Sequence, residues 1–446
     1  MVEDRAYLIS RVFSSSRLSE SKWPYMFPEA EDSSDSKLTS GGKRAALDEL
    51  QDDDLRQSKS LRLMGLSEIH GNVSSDEEQQ DQEQESDSNN GNNNDGDSLI
   101  NDIGRDNSIS CLIRCSRSGY GSIASLNRSF RSLVKSGEIY RLRRQNQIVE
   151  HWVYFSCQLL EWVAFNPVER RWMSLPTMPS GGTFMCTDKE SLAVGTDLLV
   201  LGKDDYSSHV IYRYSLLNNS WSSGMRMNSP RCLFGSASLG EIAIFAGGCD
   251  SRGKTSDSAE IYNSELQTWT TLPKMNKPRK MCSGVFMDGK FYVIGGIGGK
   301  DSKVLTCGEE FDLETKKWTE IPEMSPPRSR EMPAAAEAPP LVAVVKNQLY
   351  AADHADMEVR KYDKERKKWF TLGRLPERAD SVNGWGLAFR ACGERLIVIG
   401  GPKSSGGGYI ELNSWIPRSD QSPPQWTLLD RKHSSNFVYN CAVMGC

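Results

Sequence analysis

The chain has 446 residues, 38% hydrophobic and 25% charged, with 54 basic against 59 acidic side chains. At about 150 residues per domain, this length suggests roughly three units, a soft prior that β architectures often undercut. A helical membrane protein is excluded, because the longest purely aliphatic run, Leu341 to Val345, has five residues where a bilayer needs about twenty.

The charge is unevenly spread. Residues 1–97 hold 22 acids and 10 bases, residues 98–145 hold 3 acids and 9 bases, and the remaining 301 residues are nearly neutral at +1. The stretch 73–98 contains nine acids, no base and one apolar residue. It cannot bury enough apolar surface to offset the entropy of ordering, so residues 1–97 are expected to form a disordered acidic leader. Its opening lacks the apolar core of a secretory signal, and Lys43-Arg44 is too short a basic run to outweigh a solvated turn. Eleven cysteines with no CxxC pair fit reduced thiols in the cytoplasm, the nucleus or both.

At Asn107-Ser108 the composition changes. A capping-type residue precedes Ile109, Leu112 and Ile113, spaced as on one helix face. Ser116 to Gly121 breaks the pattern, and a second stripe follows in Ile123, Leu126, Phe130, Leu133 and Val134, with Arg128, Arg131 and Lys135 opposite and Gly137 as the stop. Residues 98–145 are thus expected to form a small all-helical module. Two or three short amphipathic helices cannot make a large core, so the stripe needs a partner, either another protein or the following domain. The basic residues, with Arg141, Arg143 and Arg144, have no aromatic platform or recognition-helix spacing, so nucleic acid is not an expected partner.

This segment resembles an F-box, the helical module by which substrate receptors dock on a Skp-type adaptor of cullin ubiquitin ligases. Leu99-Ile100 stands where the family has an opening Leu-Pro, and Leu126 to Phe130 where it has Val-Ser-x-x-Trp. The resemblance implies adaptor binding through Leu99, Ile109, Leu112, Ile113, Leu126, Phe130 and Leu133. It also implies an acidic adaptor, which the positive charge of the segment would steer.

From residue 148 to 446 the sequence repeats. Tryptophans at 172, 221, 269, 318, 369 and 426 lie 49, 48, 49, 51 and 57 residues apart, and Phe165, Tyr214, Tyr262, Phe311 and Tyr362 stand seven residues before the first five. Turn-type residues separate aromatic from tryptophan, giving strand, tight turn, strand. Upstream, apolar runs end in Gly247-Gly248, Gly295-Gly296 and Gly400-Gly401, with Leu201-Gly202 and Ala351-Ala352 in the two departing units. Such runs read as strands covered on both faces.

This combination resembles kelch repeats, each implying one four-stranded blade of a β-propeller. The expected fold is mainly β: a six-bladed kelch β-propeller preceded by a small helical F-box-like module and a disordered acidic N-terminus. His151 to Trp172 supplies only three strands for the first blade. Phe437 to Met444 is expected to provide the missing innermost one, closing the ring and removing its edges.

Candidate chemistry is sparse. The five histidines are unpaired at ligand spacing, and Asp353-His354 is the one acid–base candidate; Gly295 to Lys300 lacks the Ser or Thr and the helix of a phosphate loop. No catalytic residue, metal or cofactor is expected. The recurrent arginines Arg231, Arg279, Arg328 and Arg378 are candidates for a positive ring at one channel mouth, facing an acidic or phosphorylated substrate segment, or for ties between blades. The loops 249–257, 297–303 and 402–408 are further candidate contacts.

The resemblance as a whole implies a non-catalytic substrate-recognition subunit of a Skp–cullin–F-box ligase, with a protein substrate that the sequence does not name. Two other readings stay open: an adaptor-independent kelch scaffold with residues 98–145 packed on the propeller, and a propeller enzyme using Asp353 and His354.

Overall fold

The computed structural model describes residues 99–446, apart from 101–102, 159, 181–183, 205–207, 300–302, 329–332, 402–407, 419–421 and 435. The acidic leader lies outside the described residues, as does most of loop 402–408.

Among the described residues four short helices come first: α1 (Gly104–Leu112), α2 (Tyr120–Leu126), α3 (Arg128–Lys135) and α4 (Glu138–Gln145), with a 3-10 turn at Arg117–Gly119. Helix α1 begins three residues before the expected cap. Ser108 lies inside it, donating to the Gly104 carbonyl (2.6 Å) and accepting from the Ile100 amide (3.1 Å), so its hydroxyl braces the incoming chain. The second stripe is two helices rather than one. Asn127 is extended (φ −156°, ψ 176°) and its side chain accepts from the Phe130 amide at 2.8 Å, capping α3. Gly137 does end α3, at φ +77°, turning the chain into α4 against Leu217.

Six four-stranded antiparallel sheets follow among the described residues. Blade 2 runs from Met185–Val194 to Ser220–Ser223, blade 3 from Cys232–Leu239 to Thr268–Leu272 and blade 4 from Ser283–Met287 to Lys317–Ile321. Blade 5 runs from Leu341–Val345 to Lys368–Arg374 and blade 6 from Ala388–Cys392 to Thr427–His433. Blade 1 combines Asn440–Gly445 from the C-terminus with His151–Ser156, Val163–Asn166 and Arg171–Ser174. The closing pair runs from His151↔Gly445 to Ser156↔Asn440, and each innermost strand touches that of the next blade all the way round.

The repeat signals have structural causes. Each aromatic lies directly across the strand pair from its tryptophan, with ring centroids 4.7 to 5.4 Å apart in blades 1 to 5. The indole N–H then reaches the preceding blade: Trp221 donates to the Pro176 carbonyl (2.7 Å), Trp269 to Met225 (2.9 Å), Trp318 to Pro273 (2.8 Å), Trp369 to Met324 (3.2 Å) and Trp426 to Arg374 (2.9 Å). Trp172 closes the circle on the Asp430 carboxylate of blade 6 at 2.7 Å. Each tryptophan is therefore a wedge and also a hydrogen-bonded staple. At Gly247 (φ +74°) a Cβ would lie 2.4 Å from the Arg279 carbonyl of the next blade, so only glycine admits that approach.

Candidate docking surfaces

Antiparallel connectivity puts the turns between first and second strands, and between third and fourth, at one end of the propeller. The helical module sits on that end. Arg144 pairs with Glu241, Arg141 with Glu265 at 3.3 Å, and Ser118 donates to Glu169 at 3.3 Å. Two buried arginines weld the junction. Arg117 donates to Tyr154 Oη (3.0 Å) and Cys446 Sγ (2.8 Å) and lies 4.9 Å over the Trp152 ring. Burial alone would lower its pKa, but Cys446 and Tyr154 hold it above the usual arginine value. Arg143 donates to Tyr120 Oη (2.9 Å) and pairs with Glu150 at 3.2 Å. Glu150 also accepts from Trp152, Asn166, Ser116 and the Arg117 amide.

The apolar stripe of the module is spent on this junction. Leu99, Leu112, Ile113, Phe130 and Leu133 are buried in one core with Trp152, Tyr154 and Trp162 of blade 1, and Ile109 packs half-buried against it. The structure thus places these six residues against blade 1 and not on an open face of the module. Of the seven expected residues, Leu126 is different: the break at Asn127 leaves it 70% exposed. Ile100 and Ile103 are exposed as well, so these three are the large apolar side chains the module leaves open among its described residues. The sequence did not mark Ile103, because a single extra isoleucine at a helix start carries no periodic signal.

The arginine ring dissolves on inspection. Arg231 and Arg279 are buried and perform the same task in blades 3 and 4. Arg279 donates to the Gly295 and Cys307 carbonyls (3.0 and 3.2 Å) and to Glu309 at 2.6 Å, while Glu309 accepts the Asn276 and Lys277 amides. Arg231 bonds Gly247, Ser258 and Glu260 in the same way, and Glu260 accepts the Asn228 and Ser229 amides. Burial lowers the Arg231 pKa, opposed by Glu260. Each clamp anchors the chain arriving from the previous blade. Arg328 pairs with Glu337 at 2.7 Å, and Arg378, the most accessible of the four, lies 3.7 Å from Glu411. Arg231 and Arg279 thus lie inside the blades and not on a rim, and Arg328 is largely covered.

The remaining candidates have structural partners too. Asp353 Oδ1 accepts the Ala355 and Asp356 amides and Oδ2 pairs with Arg360 at 2.8 Å, forming a turn. His354 lies 3.8 Å from Glu337, its pKa lowered by burial. Among the described residues no three His, Cys, Asp or Glu side chains gather as a metal site. The channel is a cavity of about 470 Å³ lined by the innermost strands, with Arg144 of the module at one end. Its charged groups stitch blades together, as in the Arg390 bond to the Cys441 carbonyl at 2.9 Å.

Comparison with known proteins agrees with this architecture. The Kelch motif model matches residues 230–276 and 278–325, covering blades 3 and 4, where the buried Arg–Glu clamps stand. The chain is 76% identical to the F-box/kelch-repeat protein SKIP11 of Arabidopsis thaliana over the full length of both, and 59% identical to F-box/kelch-repeat protein At1g26930 of the same plant over 98% of each. It belongs to the F-box/kelch-repeat family. A third Arabidopsis relative, F-box/kelch-repeat protein At1g74510, is 53% identical over both full lengths. In this F-box/kelch-repeat protein the propeller carries the matched Kelch motifs, in blades 3 and 4.

Proposed function

We propose that this F-box/kelch-repeat protein is the substrate-recognition subunit of a Skp–cullin–F-box ubiquitin ligase. The exposed face of the module would hold the adaptor, and the propeller would hold a protein substrate. The observation that carries the reading is the full-length similarity to F-box/kelch-repeat proteins, and the shared core of module and blade 1 makes them one body. A rigid bridge fixes the distance and orientation between substrate and conjugating machinery, so the protein contributes proximity and no catalytic group of its own. Reduced thiols among the described cysteines fit work in the cytoplasm or nucleus.

The test is co-expression of the full chain with a Skp-type adaptor, read by size exclusion. A stoichiometric complex is expected. Leu126→Asp, on the exposed face, should abolish it and leave the thermal midpoint within a degree or two. Leu112→Asp should instead lower the midpoint, because a buried charge has no partner there. The burial of the stripe against blade 1 also favours an adaptor-independent scaffold. That reading takes over if no complex forms at micromolar concentration while the module is protected in hydrogen exchange without any partner.

A further inference from the structure

Blade 3 carries two cysteines face to face. Cys232 opens its innermost strand, Cys249 ends the second strand Ile242–Cys249, and the two are direct partners in the antiparallel register. Their sulfurs lie 3.7 Å apart with both side chains buried, and no other two thiols among the described residues are in hydrogen-bond contact. Directly opposed residues of an antiparallel pair have Cα atoms about 4.5 to 5.5 Å apart, inside the span that a disulfide accepts. A sulfur–sulfur bond of about 2 Å therefore needs side-chain rotation and no strand movement.

The two thiols are chemically unequal. The hydrogen bond between them lowers the Cys249 pKa below the usual thiol value, with help from Lys280 and Lys203, and raises that of Cys232 well above it. Elsewhere in the propeller burial makes thiols inert, pushing Cys282 and Cys441 up to about 11 and Cys392 up to about 12. Cys249 also leads straight into a surface loop. Asp250 Oδ1 accepts the Arg252 and Lys254 amides at 2.9 Å, and Ser251, Arg252 and Lys254 are exposed. Local opening of such a loop costs far less than unfolding and gives a small oxidant its way in.

We propose that Cys232 and Cys249 form a reversible disulfide when the protein meets a hydroperoxide, of which hydrogen peroxide is the simplest. The Cys249 thiolate attacks one peroxide oxygen. The S–O bond forms, the O–O bond breaks, and the leaving hydroxide takes up the proton that Cys249 had released, giving water. The Cys232 sulfur then attacks the sulfenic sulfur of Cys249. The S–S bond forms as the S–O bond breaks, and the Cys232 proton leaves with the hydroxide as a second water. Two thiols and one peroxide thus give one disulfide and two waters, the sulfur pair losing the two electrons that the peroxide gains. A dithiol reverses the step by exchange. The bond tethers the root of loop 249–257, one of the candidate contacts of the propeller, and so makes that surface sensitive to oxidant. This inference does not depend on the receptor reading.

The full chain is reduced, exposed to graded hydrogen peroxide, blocked with N-ethylmaleimide in denaturant and digested with trypsin for mass spectrometry. Both cysteines fall in the peptide 232–252, between the cleavage sites at Arg231 and Arg252. The disulfide therefore appears there as a loss of two hydrogens in place of two maleimide adducts. It should form at least about tenfold faster than Cys282, Cys392 or Cys441 lose their labels, the factor that one unit of thiol pKa makes in thiolate. Dithiothreitol should restore both adducts. Cys232→Ser should stop the reaction at its first step, leaving a Cys249 sulfenic acid that dimedone traps, whereas Cys249→Ser should leave Cys232 without dimedone and open to maleimide. The measurement on the wild type stands whether or not either variant folds. Two maleimide adducts on this peptide at every dose that preserves the thermal midpoint overturn the proposal, as does an internal bond formed only in urea. Oxidation of Cys249 to sulfinic acid in the wild type, with Cys232 still free, overturns it as well.

Discussion

Arg279 and Glu309 are both fully buried, and their pairing at 2.6 Å is completed by backbone groups on each side. Removing one partner strands the other charge, so Arg279→Ala should cost about 3–5 kcal/mol of stability, whereas Arg378→Ala, at a half-buried and solvent-reaching site, should cost about 1 kcal/mol or less. Urea unfolding of the two variants measures both, and equal losses would contradict the clamp. Asp197 gives a pH signature. Burial pushes its carboxyl up to about 6 against the opposing pull of Arg213 at 3.1 Å. Its folded pKa thus exceeds the unfolded value near 4. The native state holds this proton more tightly, so the contribution is present at about pH 4 and is lost as pH rises to about 6. Across that window the wild type should lose about 2–3 kcal/mol relative to Asp197→Asn. Parallel stability curves for the two proteins would refute this.

At the scale of elements, a single asparagine decides what the module can offer. By capping α3, Asn127 divides a seemingly continuous stripe, sending Phe130 and Leu133 inward and Leu126 outward. The contrast between Leu112→Asp and Leu126→Asp, one lowering stability and the other only docking, follows from this break. The tryptophans give a second contrast. Trp318→Phe keeps the ring stacked on Phe311 (4.8 Å) but removes the bond to the Pro273 carbonyl. It should cost about 1 kcal/mol, measured by chemical denaturation. A cost near the 3–5 kcal/mol of a core aromatic truncation would mean that packing, not the staple, dominates.

In the molecule as a whole, the C-terminal strand carries two duties. Asn440–Gly445 completes blade 1, and Cys446 meets Arg117 of the module. Deleting residues 434–446 should therefore expose the edge of His151–Ser156 and loosen the module together, lowering the thermal midpoint and raising hydrogen exchange in residues 104–145. A truncated chain with an unchanged midpoint would count against closure by this strand. Ring closure also explains why Trp172 bonds a side chain, Asp430, where the other five bond carbonyls. At the joint, blade 1's predecessor is the last blade in sequence, whose outer strand Thr427–His433 carries Asp430.

Much of this protein was legible from local chemistry. The 49-residue rhythm, the aromatic seven residues before each tryptophan and the glycine pairs specify blades because each reflects a contact inside one blade or with its neighbour. The missing strand of blade 1 was legible as arithmetic. What sequence could not decide was burial, because a helical stripe looks the same whether it faces an adaptor or blade 1, and a recurrent arginine looks the same on a rim or in a clamp. Arg279 meets Glu309 across thirty residues and Arg117 meets Cys446 across 329, and no periodicity encodes such pairs. The sequence by itself determined the repeat, the blade and the helical character of the module. Only the tertiary structure decided which apolar residues are covered and which charges are spent, since both depend on what the closed ring brings together.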